Sequence, residues 1–174
     1  EAVNVFNEYI EKYPESENLD EAYEYLSNIY LTTRNYKDAL SSLEKIKKRD
    51  NKLNKAYQKI AYLRGIELFN NNEYNEAIAM LAQSNKYPII TEYEIQTYYW
   101  TAEAYYRQQK FDSAIYNYQL LQSTTGAFGN EPYLNSYYGL GYSYFKKASY
   151  TSALSNFKKF TAEAKNATPR IIND

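Results

Sequence analysis

The chain is 174 residues long, which suits one domain or two small ones. Its 20 basic and 21 acidic side chains leave a net charge of −1, without the basic excess that phosphate neutralisation needs, so a dedicated nucleic-acid module does not fit. With no cysteine and no histidine, disulfides, thiolate metal sites, thiol nucleophiles and the usual general base are all ruled out within this sequence, and only carboxylates, Lys, Tyr, Ser and Thr remain for chemistry.

From the N-terminus, apolar residues at 2, 3, 6, 9 and 10 have helical spacing, so the sequence enters on a helix already under way. Four similar units follow, marked by Ala39, Ala77, Ala114 and Ala153, which stand 38, 37 and 39 residues apart. Each alanine is followed by Leu40, Ile78, Ile115 or Leu154 and preceded at three residues by an aromatic, Tyr36, Tyr74, Phe111 or Tyr150. Four residues after it come Leu43, Leu81, Tyr118 and Phe157; nine before it, Tyr30, Leu68, Tyr105 and Tyr144. Twelve before it stand the small residues Ser27, Gly65, Ala102 and Gly141. Turn-like pieces (Arg34-Asn35, Asn70-Asn71-Asn72, Gln108-Gln109, Lys147-Ala148) divide each unit into helix A, a tight turn and helix B. The chain ends at Arg170-Ile171-Ile172-Asn173-Asp174 without a helix stop, and we read it as an excerpt of a longer protein.

The residue types follow from packing. Two antiparallel helices approach closely where both present small side chains, here the Ser/Gly/Ala position and the alanine. The aromatic between them closes the turn, and the large residue four positions on continues the buried face. Tyrosine accounts for 23 residues, far more than such packing needs.

This pattern resembles the tetratricopeptide repeat, a 34-residue helix–turn–helix unit. The aromatic, Leu, Gly, Tyr, Ala, Phe order is clearest in the fourth copy, as Tyr137, Leu140, Gly141, Tyr144, Ala153 and Phe157; the second departs most, with Ala61 and Arg64 in place of aromatic and leucine. The resemblance implies an all-α fold, a right-handed α-solenoid of antiparallel helix pairs forming a single array. Its expected frame is the second half of a preceding repeat at 1–19, repeats at 20–57, 58–94, 95–133 and 134–167, and the start of another at 168–174. The period exceeds 34 by three to five residues, which lengthens helix B or the connection. The segment 6–16, with its Tyr13-Pro14, is also similar to repeats of bacterial envelope proteins, which implies a periplasmic or outer-membrane-associated setting.

In the family, helix A lines the concave surface. The resemblance assigns to it Glu24, Asn28 and Leu31; Tyr62, Ile66 and Phe69; Tyr99, Glu103, Tyr106 and Arg107; and Tyr138, Tyr142, Phe145 and Lys146. The opposite stripe, Tyr98, Tyr105, Tyr137 and Tyr144, is expected in the core. Helix A of the third and fourth copies is thus aromatic on two faces, and a fold needs one. The second face reads as a tyrosine-lined groove, since Tyr supplies contact area and a polar handle at low entropy cost.

Other motifs have plainer readings. The basic run Lys45, Lys47, Lys48, Arg49, Lys52 and Lys55 suits a helix C-terminus and a solvated face. Close carboxylates (Glu15/Glu17, Asp20/Glu21, Glu92/Glu94) lie in turns or first helical turns, where the macrodipole favours acid, rather than in the buried pairs that catalysis uses. Gly139-Leu140-Gly141 lacks a third glycine in register and reads as helix packing. The expected function is a non-catalytic scaffold, without cofactor or metal, binding a peptide or protein partner and self-associating through uncovered solenoid ends. The alternative is carbohydrate binding, as in nutrient-capture proteins of the outer membrane.

Overall fold

The computed structural model describes residues 2–166. Among these the chain is helical without a strand: α1 (Ala2–Lys12), α2 (Leu19–Thr32), α3 (Tyr36–Lys45), α4 (Asn51–Asn70), α5 (Tyr74–Ser84), α6 (Thr91–Arg107), α7 (Phe111–Ser123), α8 (Glu131–Lys146) and α9 (Tyr150–Asn166). Each packs chiefly on its sequence neighbours, so the helices stack as successive hairpins, α2/α3, α4/α5, α6/α7 and α8/α9, into an α-solenoid. The first helices of successive hairpins also touch, α4 with α6 and α6 with α8, whereas no comparable contact joins α5 to α7 among the described residues. The array therefore curves with α4, α6 and α8 on its inner side. No helix of the described residues is long and apolar enough to cross a membrane. The expected start of a further repeat at 168–174 lies outside them.

Each first helix stops by one device. The residue five positions before the repeat alanine has a left-handed backbone: Arg34 (φ 58°), Asn72 (φ 64°), Gln109 (φ 60°) and Ala148 (φ 57°). The next amide then reaches back over the helix end, Asn35 to the Tyr30 carbonyl at 2.8 Å, and Glu73, Lys110 and Ser149 to Leu68, Tyr105 and Tyr144 at 2.9 Å. This is a Schellman closure. None of the four left-handed residues is glycine, so each tolerates a Cβ clash of about 1–2 kcal/mol.

Ala39, Ala77 and Ala114 are 0% exposed and Ala153 is 3%. Ala102 and Ala114 share one core cluster, as the expectation of small against small has it, and the small residues of α4, α6 and α8 also receive the large side chain four residues after the alanine. A β-carbon on Gly65 would stand 2.7 Å from the Leu81 side chain, and one on Gly141 would collide with the Phe157 ring. Ala102 and Tyr118 share one core cluster in the same way.

Two expectations change. Tyr98, Tyr105, Tyr137 and Tyr144 are only half-buried. Tyr98, Tyr105 and Tyr144 pack on the edges of the core clusters, and Tyr98 and Tyr105 also line the gap between α5 and α7. The extra repeat length enters mostly the first helices and the linkers. α4, α6 and α8 have 20, 17 and 16 residues, while α3, α5 and α7 have 10, 11 and 13; α9, with 17, is the one long second helix. α4 starts at Asn51 and runs through the 57/58 boundary, because the Asp50 side chain caps it by accepting from the Leu53 amide at 2.8 Å.

The linker between α5 and α6 is held by one buried amide. Gln58 is 0% exposed. Its Oε1 accepts from the Ile89 and Ile90 amides at 3.2 and 2.7 Å, and its Nε2 donates to the Ile90 carbonyl at 3.0 Å. The previous linker is held by Arg49, whose guanidinium lies 4.8 Å from the Tyr57 ring and 5.3 Å from the Tyr87 ring and donates to the Tyr87 hydroxyl at 2.8 Å. Arg49 is therefore half-buried, against the solvated reading of the basic run; Lys47, Lys48 and Lys55 are exposed.

Candidate inner-face binding site

Residues at positions 103, 106 and 107 of α6 and 138 and 142 of α8 share one helical stripe each, and the α6–α8 contact sets the two stripes side by side. Glu103, Tyr106, Arg107, Tyr138 and Tyr142 line one cavity of about 280 Å³, with Tyr118 and Gly139 as its floor. The floor depends on an absent side chain, since a β-carbon on Gly139 would collide with the Tyr118 phenol. Tyr118 is fully buried, and its hydroxyl donates to the Glu103 carboxylate. Burial first, then the Glu103 charge, pushes the Tyr118 pKa far above the usual phenol range, so it stays a neutral donor that fixes Glu103 in place.

The walls are aromatic. The Tyr138 and Tyr142 centroids are 4.8 Å apart, Tyr142 lies 5.1 Å from Phe157 and Tyr138 5.3 Å from Phe160. Both rings remain open to solvent, at 48% and 38% exposure. Tyr106 meets Phe111 edge-on at 5.6 Å and is half-buried. Its pKa is raised by burial, with Glu103 adding to the effect, and that of Tyr138 is raised mainly by the neighbouring Tyr142 hydroxyl. Arg107 stands exposed at the rim. The site thus offers aromatic faces, neutral hydroxyls, one fixed carboxylate and one rim cation. It holds no nucleophile–base pair.

The other sequence-assigned residues fall elsewhere. Tyr99 lies behind the cavity, 6.2 Å from Tyr118 and 5.4 Å from Trp100; burial first, then Glu103, raises its pKa. Phe69 packs on Trp100 at 5.0 Å and Tyr62 on Tyr93 at 5.2 Å, so with Ile66 they form a half-buried seam between α4 and α6. Phe145 and Lys146 are exposed at the end of α8, outside the cavity. Asn28 is exposed, Leu31 packs beside the first core cluster, and Glu24 is in an ion pair with Lys52 at 2.7 Å that raises the lysine pKa. Tyr118, Gly139 and Trp100 do not stand out as site residues in the sequence. The available signal was that the residue four after the alanine is largest where its partner, Ala102, is followed by a second small residue, Ala104. Of the paired carboxylates, Asp20 has a definite structural role, because it accepts the Lys47 amide at 3.0 Å and so ties α2 to the linker after α3.

A family model described as the tetratricopeptide repeat matches residues 96–124, which span most of α6 and all of α7. A crystal structure of MamA is 22% identical with a TM-score of 0.58, covering 94% of this chain and 87% of that one. A second, of the MamA protein, is 23% identical with a TM-score of 0.58, covering 94% and 81%. MamA from residue 41 to its end, from Desulfovibrio magneticus RS-1, is 15% identical with a TM-score of 0.53, covering 97% and 98%. No curated protein matches the sequence. The chain carries a tetratricopeptide repeat at 96–124 within the all-α helical solenoid fold of that family.

Proposed function

We propose that the chain is a non-catalytic scaffold that holds a peptide or protein partner along the inner face of α4, α6 and α8. The repeat frame proposed for it is 20–57, 58–94, 95–133 and 134–167, with the internal boundaries moved back to the starts of α4, α6 and α8. The fold is one typical of interaction scaffolds, which supports the general class. The observation that carries the finer reading is the convergence of Glu103, Tyr106, Arg107, Tyr138 and Tyr142 on one inner-face cavity. Half-exposed tyrosines beside an arginine have the composition of an interaction hot spot. An apolar anchor side chain would enter between Tyr106, Tyr138 and Tyr142, and an acidic neighbour would meet Arg107, while Glu103 is already committed to Tyr118. The seam of Tyr62, Ile66, Phe69 and Tyr99 and the exposed Phe145 and Lys146 would extend the surface toward either side.

Selection from a displayed random-peptide library tests the reading. It should enrich peptides with an aromatic or aliphatic anchor followed by Asp or Glu. Tyr106→Ala with Tyr142→Ala should remove their binding, a loss of about 2 kcal/mol or more per anchor. Arg107→Glu, at an exposed rim position, should shift the selected charge from acidic to basic without changing helicity. Enriched peptides that bind both variants as well as the parent would refute the site.

A further inference from the structure

Two successive inner-face grooves can be compared position by position. Between α4 and α6 the wall ring is Phe69, edge-on to Tyr74 at 5.4 Å. Between α6 and α8 it is Tyr106, edge-on to Phe111 at 5.6 Å. Phe69 and Tyr106 each stand eight residues before their repeat alanine, Ala77 and Ala114, so the two walls correspond. What faces them does not. Phe69 receives the Trp100 indole edge-on at 5.0 Å. Trp100 stands fourteen residues before Ala114, and fourteen before Ala153 stands Gly139. The place that the chain fills with an indole in one groove therefore has no side chain in the next.

The base of the second groove differs as well. Leu81, four residues after its alanine, is replaced by Tyr118, whose phenol fills the space where a β-carbon on Gly139 would stand. Beyond the phenol a cavity of about 280 Å³ stays open between Tyr106, Tyr138 and Tyr142. An apolar cavity of about 150 Å³ takes up one benzene ring, so about 280 Å³ suits the two fused rings of an indole. Tyr138 adjoins the vacated position as Tyr99 adjoins Trp100, and Tyr99 meets that indole edge-on at 5.4 Å. A buried indole N–H needs an acceptor, and tyrosine hydroxyls accept as well as donate. A leucine or phenylalanine side chain offers one ring's volume or less and no donor.

A second copy of the chain does not supply this group. The one tryptophan of the sequence is Trp100, half-buried against Phe69 and Tyr99. Resting on the inner-face reading, we propose that the cavity between α6 and α8 is a tryptophan pocket. It takes the indole of a different protein in the place that Trp100 fills one repeat earlier.

The probes are N-acetyl-tryptophanamide, N-acetyl-phenylalaninamide and N-acetyl-leucinamide, each titrated to about 10 mM into the isotope-labelled protein and followed by NMR. The tryptophan amide should shift the backbone amides of Tyr138, Gly139 and Tyr142 and bind about fivefold or more tightly than the other two. Tyr142→Ala, at a ring open to solvent, should weaken it by about tenfold. Gly139→Trp together with Tyr118→Leu recreates the Trp100 and Leu81 of the preceding groove, and should give a folded protein that no longer responds. If that variant does not fold, Tyr142→Ala decides alone. No shift at these amides with the tryptophan probe overturns the proposal, and so does undiminished binding by Tyr142→Ala. Phenylalanine or leucine amide binding as tightly at the same residues also overturns it, while leaving the inner-face site itself in place.

Discussion

Replacing Gln58 with methionine keeps the length and shape of a fully buried side chain and removes three hydrogen bonds at once. The Ile89 and Ile90 amides lose their acceptor and the Ile90 carbonyl loses its donor. Each bond contributes about 0.5–1.5 kcal/mol net, and each buried group left without a partner costs about 1–3 kcal/mol. Ile89 and Ile90 are half-buried, so water recovers part of the loss, and the expected destabilisation is about 3 kcal/mol. For a chain of this size that lowers Tm by about 6–12 °C. The damage should be local first, because Ile90 immediately precedes α6 and no side chain caps that helix. Urea titration gives the magnitude, and amide hydrogen exchange should show Ile89 and Ile90 losing protection before the α8/α9 hairpin does. A loss below about 1 kcal/mol, with unchanged exchange at these two amides, would refute the account of the linker.

Ala153→Leu inserts three carbons at a 3% exposed helix contact and should cost about 3 kcal/mol or more by overpacking, and a silent thermal melt would put the repeat register in error. Gln109→Gly relieves the β-carbon at φ 60° and should stabilise the protein by about 0.5–1 kcal/mol, while Gln109→Val should do the reverse; differential melting of the pair checks the Schellman closure. Burial and the hydrogen bond to Glu44 raise the Tyr57 pKa from 10.0 to about 12. Burial, with Tyr133 adding to it, does the same at Tyr137. The unfolded chain therefore releases these protons first, so stability is whole below pH 10 and falls as pH rises toward about 12. Helicity followed against tyrosinate absorbance should show ionisation lagging the ordinary phenol range and coinciding with unfolding. Early ionisation with helicity intact would contradict the burial.

Ala39, Ala77, Ala114 and Ala153, the small residues opposite their hairpin partners and the aromatic at each turn were legible in the sequence. They recur at one spacing, and their burial depends on a hairpin that each repeat makes largely by itself. The turns themselves were legible, but their left-handed backbone was hidden because Arg34, Gln109 and Ala148 are not glycines. Nothing local marks Gln58 either, since its partners are 31 and 32 residues away. The two aromatic stripes of α6 show the limit most clearly. Their spacing alone established that the helix has two aromatic faces. Which face closes and which stays open was decided by tertiary packing: α8 meets α6 on the inner side and narrows it to a small cavity, while α5 and α7 leave the outer side unsealed. Exposure of a side chain is set by the distance between helices it does not belong to, and no periodicity within its own helix encodes that distance.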